Sequence, residues 1–332
     1  ADPPTASAAS QAGEVWYNST TGRLRTFVAS DTWSTINDLN VARQGMYGAG
    51  TTGAGVIAAG GPGVKTDAEE WNGSGWFVTG ALTTARANAA AAGIQTAAIV
   101  MSGYVSSPPY TTLVVETYDG STWSEVGDVG TGRYAAGAAG TTTAALMAGG
   151  STSSPGTPSA LSEEYNGTSW TEGSNLNTTR MNMGYANQGT QTAALLYGGG
   201  PPDVAVVELY NGTAWSEEAD INTARDAGAG AGISTFALYF GDGSATAVVE
   251  KYDGTSWTET TNMSTGRGDS AGFGLADAAI CAGGNQAPKS QCEEYNQSIL
   301  TFTPATWSSG GTMNTARNIY GGGAGDKSAG LG

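Results

Sequence analysis

Histidine is absent from this 332-residue chain, and basic residues are few. Without imidazole there is no Ser-His-Asp triad, no Cys-His pair and no histidine metal site, so we predict no catalytic residue of these classes, no metal and no cofactor. The formal net charge is −16, from 13 Lys and Arg against 29 Asp and Glu. Phosphate backbones require clustered positive charge, so nucleic acid is not an expected partner.

Long apolar segments and cysteines are also scarce. The longest small and apolar stretch, Ala87–Met101, is interrupted by Asn88 and Gln95, and no segment reaches the roughly 20 apolar residues of a membrane span. We therefore predict no membrane insertion. Cys281 and Cys292 flank one predicted hairpin loop. They either form a disulfide, which would favour an oxidising extracellular setting, or are two buried small apolar residues, and the sequence leaves both open.

A regular repeat fills most of the chain. A tryptophan is followed ten residues later by an arginine seven times, at Trp33/Arg43, Trp76/Arg86, Trp123/Arg133, Trp170/Arg180, Trp215/Arg225, Trp257/Arg267 and Trp307/Arg317. A Glu-x-aromatic motif lies before each of these tryptophans, and it begins at Glu14, Glu69, Glu116, Glu163, Glu208, Glu250 and Glu293. Units 42 to 50 residues apart indicate a propeller or solenoid with one continuous core.

Each unit is predicted to be a four-stranded antiparallel meander. An Asn/Asp-Gly turn such as Asn166-Gly167 joins the aromatic strand to the Trp strand, and a strand of small residues ends in a pair such as Gly149-Gly150. Arg, Gly-Gly, Glu-x-Tyr and Trp in this order resemble the kelch repeat. That resemblance implies a β-propeller, and we predict an all-β, single-domain, seven-bladed propeller over residues 1–332.

The ends of the chain predict how the ring closes. An outer strand pair in residues 14–35 lacks inner strands, whereas residues 317–332 offer inner strands without an outer pair. We predict one composite blade from these two segments, because closure removes the unpaired strand edge. The other predicted blades cover about 43–82, 86–129, 133–176, 180–221, 225–263 and 267–313.

The repeated charged and aromatic residues have a structural interpretation. A Glu and an Arg that recur in every blade are expected to form a buried ion pair in each, because buried charges are normally paired. The recurring Tyr and Trp are expected in the core. Some kelch-type propellers are copper-radical oxidases, but that resemblance implies histidine ligands, which this chain lacks.

Variation between units points to a binding face. The loops that follow Gly-Gly change in length and chemistry, and they are predicted on the same face as the blade arginines, opposite the Asn-Gly turns. Candidate binding residues in these loops are Tyr104, Pro108, Pro109, Tyr110, Lys65, Asp203 and Lys289.

The segment Gly13–Leu24 resembles one common in structural proteins of tailed bacteriophages, particularly marine ones. The resemblance implies a protein of the virion surface or another extracellular surface, with a host receptor, a glycan or other virion proteins as partners, and it leaves homo-oligomers open. The first hypothesis is a non-enzymatic binding propeller. The alternatives are a carbohydrate-active enzyme, a glycosidase or lyase that uses acidic residues, and a purely structural decoration or fibre protein.

Overall fold

The computed structural model describes residues 15–18 and 23–304, with side chains between residues 31 and 297. Over these residues the regular structure is entirely β, and no helix there is long and apolar enough to cross a membrane. The chain divides into a large compact unit, Ser30–Ser298, and a small one. In the small unit, β1 (Val15–Asn18) pairs antiparallel with the start of β2 (Arg23–Ile36), with Val15 opposite Thr26 and Asn18 opposite Arg23.

The large unit is a β-propeller, and its first five blades are consecutive four-stranded antiparallel meanders. Blade one consists of β3 (Tyr47–Thr51), β4 (Ala54–Ala58), β5 (Ala68–Trp71) and β6 (Trp76–Val78). Blade two consists of β7 (Ala90–Ile94), β8 (Ala97–Met101), β9 (Val115–Tyr118) and β10 (Trp123–Glu125). Blade three consists of β11 (Gly137–Thr141), β12 (Ala144–Ala148), β13 (Ser162–Tyr165) and β14 (Trp170–Glu172).

Blades four and five continue the same order. Blade four consists of β15 (Gly184–Tyr185), β16 (Ala194–Tyr197), β17 (Val207–Tyr210) and β18 (Trp215–Glu217). Blade five consists of β19 (Ala229–Ile233), β20 (Phe236–Phe240), β21 (Val249–Tyr252) and β22 (Trp257–Glu259). The first strand of blade four is the shortest of the six innermost strands, and the chain that follows it enters the centre of the ring.

The sixth blade is composite. It takes three strands from late in the chain, β23 (Ala271–Leu275), β24 (Ala278–Ala282) and β25 (Cys292–Pro304), and its fourth strand is β2, which also pairs with β1 in the same five-stranded sheet. The ring of Trp33 on β2 packs 5.3 Å from the ring of Tyr295 on β25, and its Nε1 donates a hydrogen bond to the carbonyl of Thr261 at 3.0 Å. Trp33 therefore completes the blade that contains Arg267 and Glu293.

The prediction of seven blades is wrong, because the ring closes with six. The innermost strands contact each other in the cycle β3, β7, β11, β15, β19, β23 and back to β3. A Cβ on Gly48 of β3 would lie only 2.5 Å from Cδ1 of Phe273 of β23, so no blade fits between the first and the sixth. We assigned Trp33 to an extra blade with 317–332, and Trp307 to the blade of residues 267–313. The strand of Trp33 takes the position predicted for Trp307.

Several predicted features fall outside the described residues. These are Glu14, Trp307, Arg317 and the predicted closing strands in 317–332. The composite blade does use an N-terminal strand, as expected, but its partner is β25. The single domain over residues 1–332 stays a prediction.

Hairpin turns explain why the outer strands pair in register. Asn166 Oδ1 accepts hydrogen bonds from the backbone N–H groups of Thr168 and Ser169, both at 3.0 Å. Gly167, between Asn166 and Thr168, has a φ of +92°, a backbone conformation that costs glycine little free energy. The turn places Tyr165 opposite Trp170, and their rings stack with centroids 5.1 Å apart. Local sequence thus fixes the aromatic pair that begins the outer core.

Every described blade contains one buried ion pair between the repeated Arg and Glu. In blade four, Arg180 Nη2 lies 3.1 Å from Glu208 Oε1, and Nη1 donates to the carbonyls of Gly198 and Val206 at 2.9 and 2.6 Å. The other carboxylate oxygen, Oε2, accepts from a backbone N–H of the incoming linker at 2.7 Å. The remaining pairs are Arg43–Glu69, Arg86–Glu116, Arg133–Glu163, Arg225–Glu250 and Arg267–Glu293. Each pair thus connects the linker that precedes a blade with the second and third strands of that blade.

The two cysteines are free and buried. Cys281 lies opposite Glu293, and Cys292 lies opposite Ala282. Directly opposed residues share one face of a sheet and successive residues alternate, so the two thiols lie on opposite faces of blade six. They belong to different apolar clusters, and the disulfide alternative does not hold in this structure.

Candidate functional site

Six residues form a closed ring of backbone hydrogen bonds around the propeller axis. Each lies two positions after a blade arginine, has φ between +50° and +61°, and donates its N–H to the carbonyl of its counterpart in the preceding blade at 2.7–2.9 Å. The six are Gly45, Asn88, Ala135, Asn182, Ala227 and Asp269. We call this ring the channel mouth, and it fixes where their side chains and the adjacent loops lie.

The loops that follow Gly-Gly surround the channel mouth. Their first residues pair with the residue that follows each blade arginine, as in Gln44 with Gly61, Ala87 with Tyr104 and Tyr134 with Ser151. Loops of different length are therefore held beside the mouth by backbone bonds. We call this side of the ring the loop face.

One side of the mouth is acidic. Burial raises the pKa of Asp269, nearby Asp226 raises it further, and Lys289 opposes the change. Burial also raises the pKa of Asp226, although a hydrogen bond at 3.1 Å from Asn182 Nδ2 to Asp226 Oδ2 acts in the opposite direction. Ionised carboxylates here are partly removed from water, which costs free energy in the unliganded protein.

The other side is aromatic. The rings of Tyr104 and Tyr110 stack with centroids 6.3 Å apart and planes 6° from parallel, and Tyr134 packs edge-on against Tyr104 at 5.8 Å. The backbone of Tyr110 donates to the carbonyl of Ser107 at 2.8 Å and accepts from the N–H of Val105 at 3.1 Å. The Tyr104–Tyr110 segment is thus a closed turn with both rings fixed by its own hydrogen bonds.

A pocket of about 200 Å³ lies between these two sides. The residues that line it include Tyr104, Gln44, Asn88, Asp269 and Pro62. The pocket therefore offers an aromatic wall, two amides and one carboxylate within a single cleft.

The channel below the mouth is bridged by blade four. Because β15 contains only two residues, the chain after it turns towards the axis, and Asn187 Nδ2 donates to the carbonyls of Gly272 at 2.8 Å and Gly48 at 3.3 Å. These carbonyls belong to blades six and one, across the ring. Tyr185 also stacks on Tyr47 at 6.1 Å. The mouth is consequently a cup with a polar and aromatic floor.

The predicted binding residues are only partly brought together. Tyr104 and Tyr110 form the aromatic side, whereas Pro108 and Pro109 are exposed at the loop tip. Lys289 Nζ donates to Gln44 Oε1 near the acidic side. The two others are not among the residues that line the pocket: Lys65 Nζ lies 3.9 Å from Asp67 Oδ2, and Asp203 is exposed and adds to the rise that burial causes in the pKa of Asp226. Within residues 31–297 no group of three or more His, Cys, Asp or Glu residues is arranged to hold a metal ion.

Sequence reasoning missed the residues of the mouth and its floor, Asn88, Asn182, Asn187, Asp226 and Asp269. A sequence pattern was nevertheless available for most of them. Glycine, asparagine and aspartate are the residues that best tolerate positive φ, and four of the six positions two residues after the arginines carry them.

Comparison with known proteins supports the fold. No protein-family model matches the chain, and no curated protein is detectably similar to it. A solved structure described as that of YjhT is similar, with a TM-score of 0.65 and 12% sequence identity over 80% of this chain and 99% of that one. At this identity the likeness shows a shared β-propeller fold.

Proposed function

We propose that this protein is a non-enzymatic binding propeller that holds a neutral glycan in the cup at its channel mouth. The observation that carries the proposal is the cleft lined by Tyr104, Gln44, Asn88 and Asp269, which brings one aromatic residue, two amide residues and one acidic residue together. Binding sites combine an apolar or aromatic surface with a few convergent polar groups, and this cleft has both.

The chemistry of the cleft matches a sugar ring. The apolar face of a pyranose packs on an aromatic ring, and its hydroxyl groups donate to carboxylates and exchange hydrogen bonds with amides. The fixed turn around Tyr110 means that little loop entropy is lost on binding. A neutral ligand is favoured over an acidic one because the chain carries a net charge of −16 and the cup is bordered by Asp226 and Asp269.

We further propose display on a virion or another extracellular surface, with a host glycan as ligand and other surface proteins as partners. The support is the resemblance of Gly13–Leu24 to a segment of tailed-phage structural proteins and of the repeat to kelch units. A loop face presented by a rigid ring suits such attachment. Electron microscopy of virions labelled with an antibody to this protein tests the location.

The binding proposal is tested on a glycan array and then by calorimetry with the best neutral oligosaccharide. Replacing Tyr104–Thr112 by a short Gly-Ser turn should abolish binding, and Tyr104→Ala should weaken it at least tenfold. The matched control is a Gly-Ser replacement of Asn211-Gly212-Thr213 on the opposite side of blade four, which should leave affinity unchanged. If only the control replacement abolishes binding, the site lies on the turn face and the proposal is wrong.

A second candidate function uses the same cup. Asp226 and Asp269 have a raised pKa, as a carboxyl group that donates a proton to a leaving sugar requires. A glycosidase would release reducing ends from a panel of neutral polysaccharides, and Asp269→Asn would stop that release while retaining binding. Absence of turnover by a protein that binds the same glycan supports the non-enzymatic proposal.

A further inference from the structure

One linker position distinguishes blade three from its neighbours. Three residues before each blade arginine the chain has Asn40, Thr83, Gly130, Asn177, Asn222 and Ser264. In blades one, four and five the asparagine Nδ2 donates to the carbonyl of the blade tryptophan, at 2.8, 3.3 and 3.0 Å. In blades one and five it also donates to the buried glutamate at 2.8 Å. Blade three has glycine here and no side chain to make these bonds.

A cavity of about 240 Å³ lies at this position. It is lined by Gly130, Thr131, Leu161, Glu163, Trp170 and Glu172. Its walls therefore include the acceptors that an asparagine amide satisfies elsewhere, together with one indole ring and a second carboxylate. The cavity is distinct from the cup at the channel mouth.

The surrounding groups differ from those of the other blades. Trp170 is partly exposed, whereas Trp33, Trp76, Trp123, Trp215 and Trp257 are all buried. Arg133 Nη2 lies 3.3 Å from Glu163 Oε1, the longest of the six ion pairs, and among the described residues Arg133 is the one blade arginine with an unpartnered Nη atom, Nη1. Glu163 thus has a carboxylate that its own arginine satisfies less fully than in other blades.

The side chains of Glu163 and Glu172 lie on the same side of the sheet. Glu163 on β13 lies directly opposite Glu172 on β14, and directly opposed residues share a face. Like charges across a strand pair repel each other. Arg133 already interacts with both carboxylates, and a second cation in the cavity would relieve the repulsion that remains. Blade four has the same pairing of Glu208 with Glu217, but there Asn177 occupies the space.

We propose that the blade-three cavity binds a guanidinium group, such as that of an arginine side chain. Its planar N–H groups would donate hydrogen bonds to the carboxylates of Glu163 and Glu172, as the asparagine amide donates to the glutamate in other blades. Its face would stack on the indole of Trp170. The site is independent of glycan binding.

The probe is N-acetyl-arginine amide, titrated while the indole N–H of Trp170 is followed by NMR. Saturable binding is expected with a dissociation constant on the order of 1 mM or below. The citrulline analogue retains the NH₂ group without the charge and should bind at least tenfold more weakly. Equal binding of the two compounds, or no saturable shift up to about 20 mM probe, would overturn the proposal.

Three variants localise the effect. Gly130→Asn supplies the missing amide and should reduce affinity at least tenfold, and urea unfolding checks that the variant stays folded, because its new Cβ would lie 3.0 Å from Glu163 Oε2. Glu172→Gln should reduce affinity similarly, because it removes an exposed carboxylate from the cavity. The matched control, Glu217→Gln in blade four, should leave affinity unchanged. Binding that survives Gly130→Asn would place the arginine probe elsewhere and refute the assignment.

Discussion

Arginine deletions in blades three and four should have different costs, although the two residues occupy the same repeat position. Arg180 makes three hydrogen bonds, to Glu208 and to the carbonyls of Gly198 and Val206, at 2.6–3.1 Å. Arg180→Ala leaves the Glu208 carboxylate buried, with backbone N–H donors alone. Removing one member of a buried pair typically costs about 3–5 kcal/mol, and we expect about 3–4 kcal/mol here because those donors remain.

Arg133 makes weaker interactions than Arg180, so its removal should cost less stability. Its Nη2 makes two long contacts, at 3.3 Å to Glu163 and 3.3 Å to the carbonyl of Met147. Its Nη1 has no partner among the described residues, whereas both Nη atoms of Arg180 have one, and Glu163 borders a cavity of about 240 Å³. Burial lowers the pKa of Arg133 to about 10, against the opposing effect of Glu163 and Glu172. We expect Arg133→Ala to cost roughly half as much, about 2 kcal/mol.

The measurement is the free energy of unfolding from urea titrations of the two variants, with Lys65→Ala as a surface control expected within about 0.5 kcal/mol of the wild type. Equal losses for Arg133→Ala and Arg180→Ala would show that the cavity and the unpartnered donors have no energetic weight. A loss below about 1 kcal/mol for Arg180→Ala would refute the structural interpretation of the whole Glu/Arg series.

Three further outcomes follow from burial. Trp33→Ala should cost about 3–5 kcal/mol in urea unfolding because the indole completes the composite blade, and a loss typical of a surface residue would contradict that blade. Asp269→Asn should stabilise the protein at pH 7, since the folded pKa is raised and ionisation is penalised above it; the gain should disappear in urea titrations below the unfolded pKa of about 3.9, and persistence there would exclude this cause. Cys281 and Cys292 should react with a thiol reagent only after unfolding, and a native protein without two titratable thiols after denaturation would indicate a disulfide.

The blade content was predictable because it depends on short-range patterns. Turn residues such as Asn166-Gly167 act over four residues. The spacing of two between Glu163 and Tyr165 places the carboxylate and the aromatic ring at fixed positions of one strand. The number of blades could not be predicted in this way, because it depends on which strands pair when they are far apart in the sequence. The pairing of β2 with β25 joins residues more than 250 positions apart, and two segments near opposite ends of the chain, those of Trp33 and Trp307, match the same consensus.

The candidate site was harder to predict than the fold. Tyr104 and Tyr110 were found because an aromatic loop of unusual length is visible in the sequence. Asn187 was not, because its position depends on how early β15 ends, and nothing local distinguishes an asparagine in a short loop from one that reaches across the axis. Asp269 was assigned no role for a related reason: its burial arises only when six blades converge.

Departures from the repeat are informative because the other blades show what the fold requires. Asn177 in blade four demonstrates that an amide fits beside Glu208, so Gly130 in blade three is not imposed by the geometry of the linker. Glycine at this position lacks a positive φ that would demand it, and a Cβ here would border the cavity but lie 3.0 Å from Glu163 Oε2, so the Glu163 side chain would have to shift by a few tenths of an ångström. A sequence selected for stability alone would be expected to fill that cavity, because filling cavities commonly stabilises proteins. Gly130→Asn tests the proposal at one residue, because its effects on stability and on guanidinium binding are measured separately.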